Sequence, residues 1–152
     1  MDISTKKIKG IKVYFENQFP PAGTISDIIF DVDSKRILGF ELKTLSLIPI
    51  PKVVDFTSVK ALSDKHLILY ENTKFLSYNY FFKTVSSAGI KASHIKKLFD
   101  PQKGKKTVKD MHFDFEMGEL SDIVILENIL TGQRRININK IYLKDNTIYI
   151  NR

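Results

Sequence analysis

Between Gly23 and Leu42 the chain alternates between apolar and polar positions. Ile28, Phe30 and Val32 share one face of an extended segment, the polar tetrad Asp33-Ser34-Lys35-Arg36 interrupts it, and a second apolar run from Ile37 to Leu42 follows. Period-two alternation on either side of polar punctuation predicts strand, turn, strand. The pattern then returns: "TISDIIFDVDSKRIL" at 24–38 is answered by "TVKDMHFDFEMGELS", which begins at Thr107, 83 positions on. Thr24, Asp27, Phe30 and Asp31 recur as Thr107, Asp110, Phe113 and Asp114, and Met111, Phe113 and Phe115 supply the same apolar face. That agreement in phase outweighs the identities, because a slip of one residue would turn every side chain to the other face of its sheet.

The ends of the halves correspond as well. "VVDFTSVKALSDKHLIL" at 53–69 matches "RININKIYLKDNTIYI" at 135–150, each with a hairpin signal at an aspartate, "SDKH" and "KDNT". The expected architecture is all-β: two tandem small antiparallel β-barrels, at 1–72 and 91–152, each a meander curled to remove its open edges. Residues 73–90 form an aromatic connector with no counterpart in the first half. It reads either as a short helix with Phe75, Tyr78 and Phe82 on one face or as a strand leaving the first barrel, and in both cases it is buried against the barrels.

Composition supports this picture and narrows the function. A chain of 152 residues that is 43% apolar and 11% aromatic can build two compact cores near the lower size limit for a domain. There is no cysteine, which removes disulfides, thiolate metal sites and a cysteine nucleophile. Lys9, Lys12 and Glu16 break up any secretory apolar core at the start, and no run approaches the ~20 apolar residues of a spanning helix, so a cytoplasmic protein is expected. The net charge of +7 is concentrated in residues 91–109, where Lys91, Lys96, Lys97, Lys103, Lys105, Lys106 and Lys109 face one acid, Asp100.

The order "GIKVYFE", loop, "GTISDIIFDVDSKRILGFEL", short gap, "VKALSDKHLIL" resembles the PRC-barrel family, found in the cytoplasmic part of the photosynthetic reaction-centre H subunit and in the C-terminal domain of the ribosome-maturation factor RimM. Gly23, Thr24, Ile25, Asp27, Asp31 and Gly39 carry the likeness, while the second half departs from it at Lys106 and Asp122. The resemblance implies a non-catalytic bacterial module that docks or assembles a protein partner. Because a two-barrel chain can bury one barrel against the other, a monomer with internal pseudo-symmetry or a homodimer is expected.

Searching for chemistry leaves little. Asp31, Asp33 and Lys35 begin like a calcium loop, but Lys35, Arg36 and Leu42 stand where an EF-hand needs an oxygen ligand, a glycine and a glutamate. Asp27 and Asp110, matched in position, read as structural hydrogen-bonding groups. His66, His94 and His112 lack metal-ligand spacing, and no nucleophile elbow or phosphate loop is present. Neither enzyme activity, nor a cofactor, nor a metal is expected. The candidate contact residues are Lys96, Lys97, Lys103, Lys105, Lys106, Lys109, Arg134 and Arg135, which would serve a protein partner or, alternatively, RNA or the ribosome, with Tyr78, Tyr80 and Phe81 as base-stacking groups if exposed. The loop "DPQKGKK" is expected to project Lys103, Lys105 and Lys106 together. Lys96 and Lys97 join them only if the chain before Phe99 makes a helical turn.

Overall fold

A computed structural model describes residues 2–47, 50–84, 89–130, 132–144 and 147–151. Among these, fourteen strands fall into two curled seven-stranded sheets, each a half-barrel. The strands are β1 (Asp2–Ser4), β2 (Lys12–Phe15), β3 (Gly23–Asp31), β4 (Ile37–Thr44), β5 (Pro51–Asp55), β6 (Val59–Leu62), β7 (His66–Leu69), β8 (Gly89–Lys91), β9 (Lys97–Asp100), β10 (Gly104–Asp114), β11 (Glu119–Asn128), β12 (Gly132–Asn137), β13 (Ile141–Lys144) and β14 (Thr147–Ile150). The first sheet runs β5-β4-β3-β2-β7-β6 and the second β12-β11-β10-β9-β14-β13. Each is antiparallel apart from one parallel pair, β2 with β7 and β9 with β14.

The repeat extends to its irregularities. β3 and β4 shift register between Ile25 and Asp27 and between Ile29 and Phe30, and β10 and β11 shift at the matching places, Val108 to Asp110 and His112 to Phe113. Such bulges bend a strand and strengthen its twist, which is what curling a short sheet requires. Of the two turn signals, Ser63 closes the β6–β7 hairpin by accepting from the amides of Lys65 and His66; the other, at Asp145 and Asn146, lies outside the described residues.

One feature runs against the division at 1–72 and 91–152. β1 pairs with β10 of the second sheet, Ile3 opposite Phe113, and β8 pairs with β3 of the first, Ile90 opposite Phe30. The leading strand of each half therefore completes the sheet of the other. Asp27 and Asp110 secure the exchange: each accepts the amide of the next residue, Ile28 or Met111, across its bulge. Asp27 also holds the amide and hydroxyl of Ser93, just after β8, while Asp110 holds the Thr5 hydroxyl at 2.7 Å and the Lys6 amide at 3.4 Å, just after β1.

Between the halves the contact is a pseudo-twofold. The β3–β4 and β10–β11 turns meet through an antiparallel backbone β-bridge between Arg36 and Glu119, with Ile37 donating to the Gly118 carbonyl and Leu120 to that of Lys35, both at 2.8 Å. Lys35 (φ 64°) and Gly118 (φ 69°) are both left-handed, the conformation these turns need and one a glycine adopts without penalty. Phe30 and Phe113 touch edge to face at 5.5 Å, and Phe115 packs 6.0 Å from Phe40, so one apolar core runs through both halves.

In the connector, Leu76 pairs with Val53, and a helix, α1, spans Tyr78–Thr84 behind a Ser77 hydroxyl that accepts the Tyr80 amide. Its inward face is Tyr78, Phe81 and Phe82, with Phe81 fully buried. Phe75, expected on that face, precedes the helix and stacks on Phe15 at 5.4 Å. Residues 85–88 of the connector lie outside the described residues.

Two outcomes follow from the shared core and the exchange. Phe30→Ala or Phe113→Ala should each cost ~3–5 kcal/mol in denaturant unfolding, and the milder Phe30→Leu and Phe113→Leu should couple by at least ~0.5 kcal/mol in a double-mutant cycle; strict additivity would mean the rings do not share a packed contact. The second concerns acid. Burial raises the Asp2 carboxyl pKa, but hydrogen bonds from Ser121 and Arg135 and the charges of His112 and Arg135 outweigh it and hold the group below its ordinary 3.8. The unfolded chain then binds this proton more readily, so Asp2 stabilises the fold above pH ~4 and loses that effect as pH falls through its lowered value. Melting curves between pH 5 and 2.5 should show a shallower acid loss for Asp2→Asn than for the parent. Identical slopes would uncouple Asp2 from folding.

Candidate functional site

The basic segment does not form one patch. Lys97 to Asp100 is a strand rather than a helical turn, and β10 begins at Gly104, so alternation sends Lys105 and Lys106 to opposite faces of the second sheet. The projected trio Lys103, Lys105 and Lys106 is thereby divided. Lys103 pairs with Glu127 at 2.9 Å, Arg134 reaches the same carboxylate at 3.4 Å, and the Lys106 ammonium donates to the Glu127 carbonyl at 2.9 Å. The Lys103 hydrogen bond, against some desolvation, holds the Glu127 carboxyl below its usual range. Arg135 is committed elsewhere, bonding Asp122 and Asp2. Lys109 is exposed beside the first β10 bulge.

Besides Lys109, what remains is Lys96, Lys97 and Lys105, exposed and, among the described residues, without an acid in ion-pair range. Lys96, Lys97 and Lys105 border a cleft of about 380 Å³ together with His94 and Phe99. Registry makes the cleft one end of a longer feature. Lys105 stands opposite Phe99, Phe99 beside Tyr149, and Tyr149 opposite Tyr142, giving a row across β10, β9, β14 and β13. Phe99 meets Tyr149 edge to face at 5.3 Å, and Tyr149 stacks on Tyr142 at 5.3 Å with the rings 15° apart. The alternation "IYL" and "IYI" explains the placement: Ile141, Ile148 and Ile150 enter the core, so the tyrosines face outward, and Tyr142 on the edge strand is 42% exposed.

The first half carries a groove on the same face. There the row reads Tyr14, Ile68, Ala61, and the longer β2–β3 loop lays Phe19 on Tyr14 at 5.9 Å while His66 meets Tyr14 edge-on. The result is a cleft of about 550 Å³ with the Glu16–Lys60 pair at its rim. Repetition has kept the sheet and changed its surface.

A second face diverges in the same way. Beneath α1 the first sheet presents Ile29, Leu38 and Val53, with Gly39 and Gly89 beside them; a Cβ on Gly39 would lie 2.3 Å from the Val54 carbonyl oxygen and 3.4 Å from the Phe81 ring. The repeat-related positions in the second sheet, which has no such helix among the described residues, are His112, Ser121, Arg135, Asp122 and Asp2. They form a partly exposed polar network: Arg135 on Asp122 and Asp2, Ser121 on Asp2, and His112 at 3.6 Å from Asp2. Arg135, a sequence candidate for partner contact, is thus a strut for β1.

The aromatic groups picked from sequence are largely unavailable. Phe81 is buried, and Tyr78 is half-buried with the Lys91 ammonium 4.4 Å above its ring; of the three only Tyr80 is exposed. Sequence reasoning passed over Phe99, Tyr142 and Tyr149 because it weighed aromatic density, whereas their signal is alternation with buried neighbours, Leu98 and Asp100 for Phe99 and core isoleucines for the tyrosines. It also passed over two hairpin tips: Leu45, Leu47 and Ile50 after β4, and Ile129 and Leu130 after β11, all exposed. Among the described residues no three histidine, aspartate or glutamate side chains converge as metal ligands. No family model matches the chain, and no curated protein is significantly similar to it.

Proposed function

We propose that the chain is a non-catalytic, cytoplasmic bacterial binding and assembly module of tandem PRC-barrel type, and that it docks a protein partner through its hairpin tips. The observation that carries this reading is the cost of those tips in water. Leu47 is fully exposed, and Ile129 and Leu130 are 95% and 97% exposed, at the same hairpin of each half. Isolated exposed aliphatics are ordinary, but clusters repeated at equivalent places mark contact sites. The pseudo-twofold interface supports a monomer in this role, since the surface through which a single repeat would pair with a copy is occupied by the other repeat. The acids that recur, Asp27 and Asp110, are consumed by backbone and hydroxyl donors, which favours scaffolding over chemistry.

A photo-crosslinking residue at Leu47 or Leu130, in the full chain inside its native cell, should give adducts with one recurring protein, absent when the same residue replaces Lys65. Leu47→Ser with Leu130→Ser should abolish capture of that protein and leave the melting temperature within a few degrees, because neither side chain packs in the core. Adducts only with the chain itself, or equal adducts from Lys65, would contradict the reading.

A further inference from the structure

We propose that the outer face of the second sheet is a binding site for single-stranded nucleic acid, with Tyr142, Tyr149 and Phe99 receiving bases and Lys96, Lys97 and Lys105 receiving phosphates. The site is separate from the hairpin tips and stands or falls independently of them.

Three observations point the same way. First, the row ends in an open aromatic face. Tyr149 and Tyr142 are already stacked, and Tyr142 lies on the last strand of the sheet, so nothing in the described chain continues the stack. A flat ring added there extends it, and every nucleobase has such a face. Second, the cations at the other end are free. Lys103, Lys106, Arg134 and Arg135 are tied to protein oxygens, whereas Lys96, Lys97 and Lys105 have no acid in ion-pair range among the described residues and converge on one cleft. Mutual repulsion of three ammonium groups around a cleft is relieved by a polyanion. Third, the dimensions fit a short strand. From Tyr142 to Lys105 the row crosses three strand spacings, about 14 Å at the usual separation, room for two or three nucleotides lying across the sheet.

A duplex is disfavoured by the same geometry. Its bases are stacked inside and its phosphates alone would reach the lysines, leaving the tyrosines without a role. An acidic protein segment would meet the lysines and likewise ignore the rings.

The test is fluorescence anisotropy of the full chain with labelled twelve-residue oligouridylate and oligothymidylate, from 50 to 200 mM salt. Binding of either oligomer is expected, and the tighter one identifies the strand type. With three lysine–phosphate contacts, log K should fall against log salt with a slope near about −2, reduced to about −0.7 in Lys97→Gln/Lys105→Gln. Lys65→Gln/Lys74→Gln, which removes the same charge from the first half and the connector, should leave the slope unchanged. Tyr142→Ala should weaken binding roughly tenfold and Tyr142→Phe should restore it, since stacking needs the ring and not the hydroxyl. Tyr142 is exposed at an edge, so an unchanged melting temperature in Tyr142→Ala confirms the fold. No binding of either oligomer at 50 mM salt overturns the proposal. So does binding that Tyr142→Ala leaves intact, or that a duplex or polyglutamate matches, because each would reduce the face to a charge effect.

Discussion

Each half of this chain lacks one strand of its own, and that reciprocal debt organises everything else. β1 and β8 are only three residues long, too short to be stable as an isolated edge, and each reaches across to a long central strand of the opposite sheet. Once they are exchanged, Phe30 and Phe113 lie beneath the incoming Ile90 and Ile3, the two β-turns meet about the pseudo-twofold, and a single core forms where two small ones would have been marginal. Asp27 and Asp110 then act as clasps. Each is nearly or partly buried, and each spends its oxygens on donors that follow the exchanged strand.

With the frame duplicated, the surfaces were free to differ. The first sheet covers Ile29, Leu38 and Val53 with a helix and tolerates only glycine at the closest approach, whereas the second leaves the same positions partly exposed and fills them with His112, Ser121 and Arg135. On the other face, a seven-residue loop turns the Tyr14 row into a groove, and the short Pro101–Lys103 turn leaves the Phe99–Tyr149–Tyr142 row standing free. Both contrasts come from what the connecting segments do, not from the strands.

This separates what the sequence made legible from what it did not. The all-β class, the phase of Phe30 with Phe113 and the turn at Ser63–His66 follow from local period and turn chemistry, which act within a few residues. The partner of β1 does not: "DIS" carries no information about which sheet it joins, since that choice depends on a strand more than a hundred positions away. The faces of Lys105 and Lys106 depended on one local fact, whether the strand begins before or after Gly104, and the loop reading placed it too late. Arg135 looked like a free cation because its acids are assembled by tertiary pairing: Asp122 reaches it across the β11–β12 ladder and Asp2 only through the exchange.

A chain built this way has no half that can melt alone. Differential scanning calorimetry of the intact protein measures that property directly, because the ratio of calorimetric to van't Hoff enthalpy counts cooperative units. Reciprocal exchange with one continuous core predicts a single transition and a ratio near one. Two resolved transitions, or a ratio approaching two, would mean that each half folds on its own and that the exchanged strands are incidental.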